Sequence, residues 1–249
     1  METETFQQIL DTKKLRVPGF SANQPHMWKD VDGSWRGWLY EVSKSLAGDL
    51  GAELEIVETT WGNSIIELQQ NRLDLILGTT PTPERLMVMD VSSGMYKTRL
   101  AVTARPGLAV ETWEDLNKPE IKISCDVGTV HEHMARRLCP NAEIIALKSV
   151  EEAALAVRSR RADAHCIFWT SSRRSTLNDP GIGETIVPKP IFFSSSNIGM
   201  RRERDKTWRD FMNGWIDYAR GAGIIQVAYL NAMQSIGIDP QEALQGIEF

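Results

Sequence analysis

Two series of alternating strands and helices follow one another along the chain, and this alternation limits the fold to the α/β class. In the first series, strands are predicted in KLRVPGF, AELEIVET and LDLILG, and helices after DGSWRG and in NSIIELQQNR. The first helix carries apolar residues at helical spacing, namely Leu39, Val42, Leu46 and Leu50. Asn63 or Ser64 is the expected N-cap of the second helix. This order predicts a mostly parallel sheet with right-handed crossovers.

The second series repeats the pattern and is followed by a helical C-terminal part. Strands are predicted in IKISCDVGT, AEIIAL and ADAHCIFW, and helices in VHEHMARRL and SVEEAALAVRSRR, the latter with a capping box from Ser149 to Glu152. The short basic clusters VRSRR and SSRRS are interpreted as solvated surfaces. Further helices are predicted in KTWRDFMNGWIDYARGAG and IIQVAYLNAMQSIG. The former has a core-facing stripe of Trp208, Phe211, Met212 and Trp215.

The repeated series predicts two lobes with a ligand cleft between them. We expect lobe 1 at residues 1–98, lobe 2 at 99–194, and a return crossover with closing helices at 195–249. Ligands of open α/β sheets bind at the carboxyl ends of the strands. GTTPTPERL and CDVGTVHEH lie at such ends, one in each series. These two segments are therefore the predicted halves of a site.

The residue types in these segments suit a small anion. Gly78 permits close approach to the backbone, and Thr79, Thr80 and Thr82 supply hydroxyls. Thr82 also has the pattern of a helix cap, followed by proline and glutamate, which places Arg85 in the first turn. A guanidinium binds a carboxylate or phosphonate through two parallel hydrogen bonds. In the second segment, Gly128 and Thr129 precede a helix N-terminus, another favourable place for an anion.

Composition and motifs exclude several other classes of protein. A formal net charge of −5 disfavours a broad nucleic-acid surface. The sequence has no apolar run near the roughly 20 residues of a membrane span, and METETFQQIL lacks the regions of a signal peptide. No nucleotide or hydrolase motif is present, so no cofactor is predicted. His131 and His133 are two residues apart on a helix and point away from each other, so no metal site is predicted.

The cysteines leave two interpretations open. Cys125, Cys139 and Cys166 fit neither a zinc site nor a CxxC motif. The main interpretation is that they are small buried apolar residues. Cys125 and Cys166 lie in predicted strands, so a disulfide between them is the alternative.

Several motifs resemble those of the type II periplasmic solute-binding proteins of ABC importers, in the amino-acid-binding family 3. The resemblance spans nearly the whole chain and includes LRV, a DG–W–GW pattern from Asp32 to Trp38, TTW, LQQNRLDLILGTTPTPER, DVGT and RSRRADA. It implies a two-lobed, periplasmic-binding-protein-like α/β fold of type II, in which each lobe has a mostly parallel sheet flanked by helices. In such proteins the lobes close on the ligand.

The resemblance also implies ligand-binding roles for particular residues. Arg85 matches the arginine that clamps the ligand's α-carboxylate, helped by the hydroxyls of Thr80 and Thr129 and by the backbone of Gly78. Trp61 matches an apolar pocket wall, and His131 a polar position. The complete predicted set is Asn23, Trp61, Gly78, Thr80, Arg85, Thr129, His131 and Phe168.

Two positions depart from the family pattern. Phe168 occupies the register in which relatives that bind α-amino acids carry an aspartate for the ammonium group, and Asn23 replaces an aromatic lid. Asp126 or Glu132 could substitute for the missing aspartate. Alternatively, the ligand lacks the amine, or carries an aromatic or apolar group against Trp61 and Phe168.

The leading functional hypothesis is a periplasmic, monomeric binding protein, with its leader absent from this chain. It would deliver a small carboxylate-bearing solute, an amino acid or related organic acid, to the membrane permease of an ABC importer. One alternative is an enzyme similar to cyclohexadienyl dehydratase, which requires a carboxylic acid of raised pKa as proton donor. Another is the ligand-sensing domain of a receptor.

Overall fold

The chain divides into two compact units. The computed structural model describes residues 4–20 and 22–249, and the side chains of residues 22 and 23 lie outside that description. Unit 1 comprises the residues up to Lys97 together with Ser195–Gln241 and Phe249, and unit 2 comprises Thr98–Ser194 and Glu242–Glu248. Each unit is therefore assembled from segments that are distant in the sequence.

The helices and strands alternate along the chain as follows. The first part contains α1 (Thr5–Thr12), β1 (Lys14–Gly19), β2 (Ala22–Asn23), β3 (Met27–Lys29), β4 (Trp35–Arg36), α2 (Trp38–Asp49), β5 (Glu53–Glu58), α3 (Trp61–Gln69), β6 (Ile76–Thr79), α4 (Pro83–Val88), β7 (Met89–Val91) and β8 (Tyr96–Ala104). The middle part contains α5 (Trp113–Leu116), β9 (Lys122–Asp126), α6 (Val130–Leu138), β10 (Glu143–Leu147), α7 (Val150–Arg158), β11 (Ala164–Phe168), α8 (Trp169–Asn178), a 3-10 turn (Pro180–Ile182) and β12 (Glu184–Ile186). The last part contains β13 (Phe193–Arg201), α9 (Thr207–Gly221), α10 (Ile224–Ser235), α11 (Pro240–Ala243) and β14 (Ile247–Glu248).

Unit 1 combines parallel and antiparallel pairing. β1 pairs with β5 in parallel, with Lys14 opposite Glu53. β6 and β7 both pair antiparallel with the part of β13 that lies in this unit. The buried apolar residues of α2, which include Leu39, Val42 and Leu46, form part of the unit's core. The amphipathic helix predicted from their spacing is confirmed.

A buried ion pair in unit 1 joins Arg16 of β1 to Asp74, which precedes β6. Asp74 is 1% exposed and accepts hydrogen bonds from the backbone and guanidinium of Arg16, the shortest being 2.5 Å. The Arg16 guanidinium also donates to the backbone and side chain of Asn71. Because Asp74 is removed from water, its charge depends on this partner.

Unit 2 contains a parallel core of strands with antiparallel additions. β9 pairs in parallel with β10 and with β11, and β8 adds to β11 in the antiparallel direction. β12 and β14 also pair with β8. Buried residues of these strands and of α5 and α6 form a cluster that includes Val102, Trp113, Leu116, Ile123 and Cys166.

Most predicted elements are confirmed, and two local predictions are wrong. Thr60, not Asn63 or Ser64, caps α3 by accepting a hydrogen bond from the Asn63 backbone, which places Trp61 at the first position of the helix. The cluster SSRRS is not a solvated surface, because it lies in α8 with Ser172 fully buried and Arg173 paired with Glu242. Periodicity misses α8 because few of its residues are apolar.

The cysteines and the C-terminal helices agree with the predicted core. Cys125, Cys139 and Cys166 are buried and unbonded. In α9, Trp208, Met212 and Trp215 are buried, as the apolar stripe predicts. Within the described part of the chain, no helix combines the length and the hydropathy needed to cross a membrane.

Candidate functional site

The carboxyl end of β6 in unit 1 leads directly into a capped helix. Thr82 is the N-cap of α4, and its hydroxyl accepts a hydrogen bond from the backbone of Arg85 at 3.4 Å. Pro83 occupies the start of the helix, where its missing N–H has no cost. The local sequence therefore fixes Arg85 in the first turn of α4, directly after the strand.

Arg85 is a half-buried cation without a carboxylate partner. One guanidinium nitrogen donates to the backbone oxygen of Thr80 at 3.1 Å. No ion pair joins Arg85 to a carboxylate among the residues that the structure describes. Burial lowers the pKa of Arg85, an effect partly opposed by the charge of neighbouring Glu84. Because a guanidinium stays charged in a protein, its remaining N–H groups can take an anion.

An aromatic wall lies beside this segment. The rings of Phe20 and Trp61 are stacked, with centroids 4.1 Å apart and an interplanar angle of 16°. Phe20 is buried, whereas Trp61 is 38% exposed. A Cβ at Gly78 would lie 3.6 Å from the Trp61 ring, so the indole is close to the end of β6. Unit 1 therefore brings an exposed aromatic surface near the strand that leads to Arg85.

Gly78 is required by the backbone geometry of this strand end. Its φ is +81°, and an added Cβ would lie 3.3 Å from Leu39. We expect Gly78→Ala to lower the free energy of unfolding by about 1–2 kcal/mol, because an L side chain is strained at positive φ. Urea denaturation of the ligand-free protein measures this change. Gly62→Ala is the matched control, since Gly62 has no atom within 4 Å of its added Cβ and no positive φ; equal effects of both substitutions would contradict the prediction.

In unit 2, Thr129 is the N-cap of α6, the helix that follows the end of β9. The Thr129 hydroxyl donates to the backbone oxygen of Asp126 at 2.7 Å and accepts from the backbone of Glu132 at 3.5 Å. Glu132 in turn accepts from the Gly128 backbone at 2.8 Å and pairs with Arg136. The Thr129 hydroxyl thus has a structural function at the start of α6.

Asp126 and His131 form a pair at the same place. Oδ1 of Asp126 lies 2.9 Å from Nδ1 of His131, and the two side chains are 14% and 11% exposed respectively. Burial by itself would raise the pKa of Asp126, but the hydrogen bond and charge of His131 outweigh it, so the pKa is lowered. Nε2 of His131 is buried without a partner among the described residues. The hydrogen-bonding capacity of this nitrogen is therefore unused by the described residues.

Phe168 and His165 complete the group of side chains around His131. The Phe168 ring contacts the His131 ring edge-on, with centroids 4.4 Å apart. His165 is fully buried on β11, and neither of its ring nitrogens has a partner among the described residues. Burial lowers the pKa of His165 to about 3, despite the opposing charge of nearby Asp126.

The predicted residues thus fall into two groups that the structure describes separately. Trp61, Gly78, Thr80 and Arg85 lie together in unit 1, and Thr129, His131 and Phe168 lie together in unit 2. Asn23 belongs to β2, but its side chain is outside the described part of the structure, so its contact stays a prediction. Within residues 4–20 and 22–249, no group of three or more His, Cys, Asp or Glu side chains could hold a metal ion.

The sequence does not predict two important neighbours. The contact of Phe20 with Trp61 is not predicted because four further strands and a helix separate the two residues in the sequence. His165 lies in a sequence pattern typical of any strand, and no neighbouring residue in the sequence indicates that its ring nitrogens have no partner among the described residues. Asp126, the last residue of β9, is considered in the sequence only as a possible substitute for the missing aspartate, whereas it is the partner of His131.

Comparison with known proteins gives a single family. The model for bacterial extracellular solute-binding proteins of family 3 matches residues 15–229. The arginine-binding extracellular protein ArtP of Bacillus subtilis is 28% identical over 130 residues, a match that covers 51% of this chain and about half, 50%, of that protein. Cyclohexadienyl dehydratase of Pseudomonas aeruginosa is 21% identical over 223 residues, covering 88% of this chain and 82% of that enzyme.

Solved structures agree with the fold. An ancestral amino acid-binding protein, AncCDT-1, described as a precursor of cyclohexadienyl dehydratase, superposes with a TM-score of 0.81 at 26% identity over 92% of this chain and 99% of its own. A putative binding component of an ABC transporter from Wolinella succinogenes, complexed with lysine, gives a TM-score of 0.79 at 22% identity over 88% and 95% of the two chains. At that identity the second likeness concerns the fold alone.

Proposed function

Because the chain belongs to the bacterial extracellular solute-binding proteins of family 3, we propose that it captures a small carboxylate-bearing solute and delivers it to an ABC importer. The carboxylate binds Arg85, and Trp61 and Phe168 contact the remainder of the solute. The protein acts outside the cytoplasmic membrane, in the periplasm, as a monomer.

The state of Arg85 is the observation that carries this proposal. The Arg85 guanidinium is half-buried, has N–H donors that remain unused, and has no ion-pair partner in the described part of unit 1. Its partial burial lowers the stability of the ligand-free protein. A ligand carboxylate offsets that cost and forms charge-assisted hydrogen bonds. The neighbouring backbone at Gly78 and Thr80 is the further proposed contact with the anion.

Closure on the solute is a further part of the proposal. Phe168 and His131 are the proposed contacts of unit 2. The proposed closure is of the hinge type that binding proteins use. The permease would recognise the closed form.

A binding function is favoured over the dehydratase function of one relative. A general acid must hold a proton near neutral pH, which requires a carboxyl group of raised pKa. The hydrogen bond from the Gly128 backbone holds the pKa of Glu132 below its usual value, and the pKa of Asp126 is also lowered. Both carboxyl groups are therefore ionised near neutral pH and unsuited to donate a proton.

A thermal-shift screen of the ligand-stripped protein tests the proposal. The panel contains α-amino acids, the corresponding acids without the amine, aromatic acids, phosphonates and prephenate. A true ligand at 100 times its dissociation constant should add about 2.7 kcal/mol to the free energy of unfolding. The amides of the same compounds are the control, because they lack the anion and should give no shift.

Small-angle scattering of the same titration tests closure. The radius of gyration should fall on saturation with the ligand that raises the melting temperature. Absence of a shift with every carboxylate would contradict the proposed function. An unchanged radius with a saturating ligand would contradict closure, and conversion of prephenate would favour the enzyme.

A further inference from the structure

We infer that the preferred solute is an aromatic carboxylate without an amino group. The inference rests on the proposed function and names the class of its solute. It departs from the amino acids that the similar proteins are named for, because the side chains at the candidate contacts have a different chemistry.

The unit-1 group pairs one cation with one aromatic surface. Arg85 is the charged side chain of that group, and no carboxylate of the described residues forms an ion pair with it. The exposed ring of Trp61 is supported from behind by the buried ring of Phe20, at a centroid distance of 4.1 Å. A rigid, stacked pair offers a flat apolar face, and aromatic rings pack favourably on such faces. A solute with a carboxylate and a planar ring matches both features.

The two carboxylates described beside the candidate contacts of unit 2 already have hydrogen-bond partners. Asp126 is bonded to Nδ1 of His131, and its side chain is 14% exposed. Glu132 is bonded through one oxygen to the Gly128 backbone and through the other to Arg136. An ammonium group placed there would compete with these partners for the carboxylate oxygens while losing its own water, which is unfavourable.

The side chain presented instead is apolar. Phe168 is half-buried, stands at the end of β11 and packs its ring against the edge of His131. The resemblance to family 3 implies that relatives which bind α-amino acids carry the aspartate for the ammonium group at this register. The contact therefore favours a ring or another apolar group and disfavours a cation. The same reasoning disfavours solutes with a cationic side chain, which would need a second carboxylate.

Three solutes that differ by one group test the inference. They are 3-phenylpropanoate, L-phenylalanine, which adds the α-amine, and propanoate, which lacks the ring. Calorimetric titration of the ligand-stripped wild-type protein should give an affinity for 3-phenylpropanoate at least tenfold higher than for either of the other two. L-arginine and L-lysine complete the set and should bind more weakly than 3-phenylpropanoate.

The variants Phe168→Asp and Phe168→Asn separate charge from shape. We expect Phe168→Asp to raise the affinity for L-phenylalanine and lower that for 3-phenylpropanoate relative to Phe168→Asn, whose side chain has the same size without the charge. If either variant fails to fold, the wild-type comparison still decides. A wild-type affinity for L-phenylalanine or L-arginine equal to or above that for 3-phenylpropanoate would overturn the solute class and leave the proposed function standing. Failure of every carboxylate to bind would overturn both.

Discussion

Replacement of Arg85 with alanine is expected to weaken binding of a carboxylate solute by at least about tenfold, because a charge-assisted pair of hydrogen bonds is lost. The same substitution should leave the ligand-free protein as stable as the wild type, or more stable. The reason is that the guanidinium is partly desolvated and has no carboxylate partner in the described part of unit 1. Calorimetric titration measures the affinity, and urea denaturation without ligand measures the stability.

Arg16 provides the matched control for this prediction. Its guanidinium is also partly buried, but it neutralises the buried carboxylate of Asp74. Arg16→Ala should therefore lower the free energy of unfolding by about 3–5 kcal/mol, because Asp74 is left without its partner. The molecules that remain folded should bind the solute with wild-type affinity. Unchanged affinity in Arg85→Ala, or a loss of stability similar to that of Arg16→Ala, would show that Arg85 is a structural residue.

Replacement of His165 with leucine is expected to raise the stability of the protein, and to raise it more at acidic pH. At pH 7 the substitution removes ring nitrogens that are buried without partners among the described residues. This removal should raise the free energy of unfolding by about 1 kcal/mol. Burial lowers the pKa of this imidazole to about 3 in the folded protein, from its ordinary value of 6.5. Protonation therefore favours the unfolded chain as the pH falls through 6.5.

The sign and size of this effect follow from proton linkage. The contribution of neutral His165 to the free energy of unfolding is complete above pH 6.5 and is lost progressively between 6.5 and about 3. By pH 5 the loss reaches about 2 kcal/mol at 1.36 kcal/mol per pKa unit. The free energy of unfolding of His165→Leu should therefore exceed that of the wild type by about 3 kcal/mol at pH 5.

Urea denaturation at a series of pH values measures this difference. His133→Leu is the control, because it makes the same replacement at a histidine that is exposed on α6 rather than buried. A His165→Leu protein that loses stability in parallel with the wild type from pH 7 to 5 would contradict the assignment.

Local sequence signals predicted the local structure between β6 and α4 well. Threonine, proline and glutamate at the start of α4 are capping signals that act within one turn, so they fixed Arg85 without knowledge of distant residues. The apolar faces of α2 and α9 were predictable for a similar reason, because helical spacing alone determines which residues share a face.

Contacts between distant elements could not be predicted in the same way. The stacking of Phe20 on Trp61 depends on how β1 and β5 pair, since these strands precede the two aromatic residues. The Asp126–His131 pair joins a strand end to a helix across a turn, and no fixed spacing rule describes it. The true cap of α3 was missed because several polar residues there could serve as the cap, and only the backbone conformation selects Thr60.

The interleaving of the two units along the chain also bears on protein synthesis. Thr98–Ser194 leaves the ribosome as one continuous stretch and holds all of unit 2 except Glu242–Glu248. Unit 1 must wait for Ser195–Gln241, as shown by the hydrogen bond from the Trp208 indole to the backbone of Asp74, which spans 134 residues. Closing a loop of that length has an entropic cost before any contact compensates it. The nascent chain therefore carries an unfinished unit 1, with its apolar strands exposed, until Ser195–Gln241 has been synthesised.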